Sequence, residues 1–153
     1  MKVKVYNTVV IPQMLYGAET WALKKDQRRL LTAEMSCLRR IMGVSRLQKI
    51  KNDEIRQRLG MEETIVDKVM HKHLQWYGHV VRMKQNRWPQ IVMNMKPTGK
   101  RSRGRQRIRW LDNINTDLKG CMTLTEASRM AQDREKWKQF LSSYCRRRRG
   151  RQR

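Results

Sequence analysis

The 153-residue chain carries 36 Lys and Arg against 13 Asp and Glu, a net charge of +23 at pH 7. Such a surplus opposes compaction by self-repulsion and makes physical sense beside a polyanion, with nucleic acid the first candidate and an anionic membrane surface the second. Five Trp and eleven Met at helical spacings argue against a fully disordered chain, and no run approaches the roughly 18 consecutive apolar residues of a membrane span.

Taken in chain order, residues 5 to 17 are mostly apolar and interrupted by Pro12, which predicts a short or broken helix stopped at Gly17. Asp26 is the expected N-cap of the next helix. There Leu31, Met35, Leu38 and Met42 recur at helical spacing, Arg39 and Arg40 fall off the apolar stripe, and Gly43 closes the segment. Asn52 is expected to cap a short helix ending at Gly60. A longer helix then runs from about Thr64 to Met83, with apolar pairs such as Ile65–Val66 and Val80–Val81 on one side. Lys68, His71, Lys72, Gln75, His79 and Arg82 line the other.

Residues 84 to 105 read as a connection in which Trp88-Pro89 breaks any helix, leaving a turn or two over Ile91 to Met95. Lys96 to Arg109 holds seven basic residues and no acid, dotted with Pro97, Gly99, Ser102 and Gly104, a flexible basic loop. Trp110, Leu111, Ile114 and Leu118 give one further helix its face. Thr123 with Glu126 makes a capping box for a second, which would bury Ala127, Met130, Ala131, Trp137, Leu141 and Tyr144. The expected fold is all-α: a helical region over 1–83, a basic linker over 84–105, a helical hairpin over 106–145 and a disordered Arg-rich tail over 146–153.

Catalytic and metal-binding patterns are missing. Asp53-Glu54 and Glu62-Glu63 are sequence neighbours that diverge around a helix, so neither pair converges on a metal ion as nucleotidyl transfer requires. Asn94 stands where a phosphate-binding loop ending at Gly99-Lys100 needs its first Gly. His71 and His73 lie about 200° apart on a helix and cannot share a metal. The three histidines read instead as part of the polar face. Cys37, Cys121 and Cys145 match neither a disulfide framework nor a zinc spacing and suit a reducing intracellular compartment. No cofactor is expected.

The dense basic segments are the informative feature. Trp88 and Trp110 bracket the central one, where base stacking competes with core packing. Arg146 to Arg153 reads as a solvated tail or a nuclear-import signal, which makes the nucleus the expected location. The short helix, Gly60 and the longer helix also have the outline of a helix-turn-helix, a sequence-specific DNA reader offering Lys68, His71, Lys72 and Gln75 to a groove.

Four stretches resemble one family in order and spacing. They are Leu15-Tyr16-Gly17-Ala18-Glu19-Thr20-Trp21; Trp76-Tyr77-Gly78-His79-Val80-Val81-Arg82-Met83; Arg103-Gly104-Arg105 leading to Arg109-Trp110-Leu111-Asp112; and Ala131-Gln132-Asp133-Arg134 with Trp137. Together they resemble the C-terminal region of non-LTR (LINE-type) retrotransposon reverse transcriptases, over about residues 5 to 141. The resemblance implies thumb-like helices over residues 5–42, a nucleic-acid-binding extension after them, and a chain separated from the endonuclease and polymerase cores of that family. It departs from the family at Gln106, where Pro is common, and at His71 to His73, where Arg is common.

The expectation is therefore a non-enzymatic chain that holds RNA or an RNA–DNA hybrid by its phosphates. The expected contacts are Arg39 and Arg40; Lys68, Lys72 and Arg82; and Lys100, Arg101, Arg103, Arg105, Arg107 and Arg109. The alternatives are the helix-turn-helix DNA reader and a non-functional remnant of a mobile element. Oligomeric state stays open.

Overall fold

A computed structural model describes residues 1–22, 27–95, 103–104 and 109–151, with side chains described as far as Tyr144. The described residues form helices and turns without a strand, an all-α fold.

Pro12 does not break the first helical segment. Helix α1 (Lys2–Val5), a π turn (Tyr6–Val10) and α2 (Ile11–Met14) follow one another without a gap. The Ile11 N–H reaches back five residues to the Tyr6 carbonyl. Widening the turn this way accommodates a residue that lacks an N–H of its own. Gly17, at φ 67°, then turns the chain into a 3₁₀ turn, Ala18–Thr20.

Helix α3 (Gln27–Met42) buries Glu34, Met35 and Leu38 and stops at Gly43, where φ is 71°. The expected cap, Asp26, lies outside the described residues. Helix α4 (Asn52–Arg58) starts one residue away from the expected cap: Lys51 is the N-cap, and the Asn52 side-chain oxygen accepts from Arg39 instead, at 3.0 Å. Helix α5 (Ile65–Val81) opens on a reciprocal capping box between Thr64 and Asp67.

The expected connection after residue 83 contains a helix, α6 (Trp88–Asn94). Pro89 sits in its first turn, where the missing N–H has no intrahelical partner to lose, so proline begins this helix rather than ending one. Helix α7 (Trp110–Leu118) follows, then α8 (Leu124–Gln132) with the Thr123–Glu126 capping box. The single second helix of the expected hairpin is two helices. Asp133 leaves helical geometry, and its Oδ1 accepts the Glu135 and Lys136 N–H groups at 3.0 and 3.1 Å, capping α9 (Arg134–Arg151). The backbone of the Arg-rich end stays helical through Arg151, where disorder was expected.

Helix α5 runs through both hydrophobic cores. Its Ile65 and Val69 join Tyr6, Leu15, Met35, Leu38 and Ile55. Its Leu74, Tyr77 and Val81 join Ile114, Leu118, Ala131, Trp137 and Tyr144. The second core thus begins inside α5, at Leu74, ahead of the expected division after residue 83.

Candidate nucleic-acid interface

At least eight of the 13 carboxylates cap helices or pair with basic side chains, and two of these, Glu34 and Asp117, are buried. Glu34 is fully buried and accepts from Arg56 Nη2 at 2.5 Å and from the Ile65 N–H at 3.0 Å. Burial raises its pKa, and the Arg56 charge pulls it part of the way back. Asp117 is buried against His73 Nδ1 at 3.3 Å. Asp67, Asp112, Glu126 and Asp133 accept backbone N–H groups at helix starts. The Thr123 N–H lowers the pKa of Glu126, and the Lys136 N–H lowers that of Asp133. Glu54 pairs with Arg58, and Glu19 lies 3.7 Å from Lys72 Nζ.

The expected contact residues divide into four groups. Three of them clip elements together. Arg39 donates from Nη2 to the Ile50 carbonyl at 2.8 Å and to Asn52. Lys72 donates to the Leu15 carbonyl at 2.9 Å. Arg82 donates to the Ala131 carbonyl at 2.6 Å, and its burial, then the nearby Arg134 charge, lowers its pKa. Lys68 is half-buried and contributes to the positive field at Glu34. Arg40, Arg103 and Arg109 are exposed, the last with Nη2 3.8 Å from Asp112. Lys100, Arg101, Arg105 and Arg107 lie outside the described residues. The polar stripe along α5 is therefore not one open basic face.

A basic groove lies elsewhere. Between α3 and α4 a cavity of about 740 Å³ has Arg39, Arg46, Lys51 and Arg56 in its lining, together with one acid, Asp53, and apolar side chains such as Met35 and Ile50. Arg46 and Lys51 are exposed there. Thr32, Ser36 and Arg39 share one face of α3, but the turn before α4 and α4 itself supply Arg46, Lys51 and Arg56, so helical periodicity alone does not group them.

The stretches that carry the family resemblance interlock. The Trp110 Nε1–H donates to the Glu19 carbonyl at 2.9 Å. Tyr77 lies between two indoles, its ring centroid 6.4 Å from Trp110 and 6.0 Å from Trp137. The Trp137 Nε1–H donates to the Leu74 carbonyl at 3.0 Å, and its indole fills the space where a Cβ on Gly78 would stand. Arg82 joins the second stretch to Ala131 of the fourth. These motif residues hold the fold together. His73 leaves the expected polar face as well: it is 3% exposed beside Asp117, because α7 and α9 close over that turn of α5.

Trp88 is the exception among the five tryptophans. It is 77% exposed, whereas Trp137 is 2% exposed and Trp21, Trp76 and Trp110 are half-buried.

These features define a small all-α protein in which most carboxylates serve as helix caps or ion-pair partners and many cations stay exposed. The chain is similar to an uncharacterized transposon-derived protein of Caenorhabditis elegans, with 28% identity over 146 residues. The match covers 90% of this chain and 52% of the relative, so the chain spans about half the relative's length. No family model matches the chain. No solved structure matches it.

Proposed function

We propose that this chain is the nucleic-acid-holding C-terminal region of a mobile-element protein of reverse-transcriptase type, and that it binds without doing chemistry. One observation carries the reading: carboxylates are drawn into caps and ion pairs while cations such as Arg40, Arg46, Lys51, Arg87 and Arg103 stay exposed. A surface of this kind neutralises phosphates, releases their counterions and positions a strand without reading its sequence. The groove between α3 and α4 supplies one concave stretch for the backbone. The transposon-derived relative supports the mobile-element origin, and the four stretches support the reverse-transcriptase assignment. The non-catalytic reading is supported by the dispersal of the carboxylates, which a polymerase would gather on two metal ions.

The helix-turn-helix reading gains little from the geometry. A recognition helix offers an open face to the major groove. Along α5 only Gln75 and His79 are exposed, and Lys72 is tied to Leu15. A decayed element is a second reading, favoured by the relative's description as transposon-derived. A broken polymerase-type reading frame upstream, with no transcript, would select it.

The deciding experiment is fluorescence anisotropy with the full chain and labelled single-stranded RNA, single-stranded DNA and an RNA–DNA hybrid in dilute buffer. Binding to all three is expected, without enrichment of one motif from a random duplex pool. Indifference to every strand would overturn the proposal. Strong enrichment of a single duplex motif would select the DNA-reader reading.

A further inference from the structure

We infer that Trp88 is a stacking platform for an unpaired base, which makes single-stranded nucleic acid the ligand class of the α6 surface. The inference rests on the proposed function and narrows it. Helix α6 has two distinct sides. Met93 packs against the second core, and Pro89 and Gln90 are half-buried beside it. Trp88, Ile91, Val92 and Met95 sit at offsets of three, four and seven residues, hence on the opposite side, and are 77%, 41%, 62% and 62% exposed. An indole open to solvent on a helix held by its other face needs no rearrangement to receive a flat partner.

Charge favours a nucleic acid over other partners. Lys84 and Arg87 are exposed just ahead of Trp88, and no Asp or Glu occurs from Lys84 to Arg109. An aromatic face with flanking cations and no acid suits a stacked base whose neighbouring phosphates meet the cations. In a duplex the bases are already stacked on one another and offer no free face, so the contact selects single strands. A membrane surface is less well matched, because interfacial helices bury a longer apolar face than the two turns of α6 present.

The test uses the full chain with Trp88→Leu, which keeps an apolar side chain but removes the π face, and Trp88→Phe, which keeps a smaller one. Affinity for a single-stranded RNA or DNA oligomer should fall roughly 5- to 150-fold in Trp88→Leu, the equivalent of one lost base stack. Trp88→Phe should restore most of it. Affinity for duplex of the same length, the dependence on salt and the thermal midpoint should stay at wild-type values. Unchanged single-strand affinity in Trp88→Leu would overturn the inference, as would an equal loss on duplex. Loss of binding to anionic vesicles with strand binding intact would overturn it in favour of a membrane contact. If the wild-type chain bound no strand of any kind, the proposed function itself would fail. If it bound single strand and duplex and Trp88→Leu changed neither, the stacking site alone would fail.

Discussion

Glu34 and Arg56 show how single side chains are recruited to this fold. A carboxylate with no exposure is costly unless its charge is answered, and here a guanidinium and a backbone N–H answer it. Arg56→Ala leaves the charge buried with one partner and is expected to destabilise the chain by about 3–5 kcal/mol near neutral pH, read by urea unfolding. The sign of the pH effect follows from the raised pKa of Glu34. The folded state holds that proton more tightly than the unfolded chain, so ionisation withdraws stability as pH rises from the ordinary carboxylate range through the raised value. Losing Arg56 raises the value further, and the penalty should shrink as acid neutralises Glu34. A penalty below about 1 kcal/mol, or one that grows in acid, would contradict this account. Glu126 and Asp133 work in the opposite sense: their lowered values add stability above the ordinary carboxylate range, and it is lost as pH falls through them. They are common to both proteins and drop out of the difference.

Helix α5 is where the elements meet, and at Gly78 the Trp137 indole of α9 packs directly against it. A methyl group there would stand 2.2 Å from Trp137 Nε1, an indole that is 2% exposed and hydrogen-bonded to Leu74. Alanine is the better helix former by about 1 kcal/mol, yet Gly78→Ala is expected to lose roughly 1–3 kcal/mol net because the ring cannot retreat. A stabilised Gly78→Ala variant in thermal unfolding would show that α9 does not pack as described. The all-α class was legible in the apolar periodicity of α3 and α5 and in the Thr123–Glu126 box, because those signals are local. Pro89 misled because it reads as a helix breaker where it stands in a helix's first turn, and at Pro12, where a short or a broken helix is expected, a π turn keeps the segment continuous. Arg39, Lys72 and Arg82 read as surface cations because helical spacing reports angle, not what another element brings opposite. The α3–α4 groove was illegible because it forms only when two helices and a turn are brought side by side.

The molecule as a whole carries one imbalance. Its fold takes up carboxylates as caps and buried partners, so a chain with 36 cationic side chains presents an excess of positive charge to its surroundings. That excess opposes folding by self-repulsion and is relieved when a polyanion binds. The exposed cations are spread over α3, the turn before α4, the start of α6 and the start of α7, which suits a strand laid across the surface better than a compact ligand in one pocket. Such binding is dominated by counterion release, whose signature is a steep linear fall of log affinity with log salt. Titrating the full chain with a single-stranded RNA oligomer from 50 to 200 mM salt tests this directly. If about six to ten phosphates are neutralised, affinity should fall by roughly 10³- to 10⁵-fold over that range; an affinity that hardly changes would contradict the account.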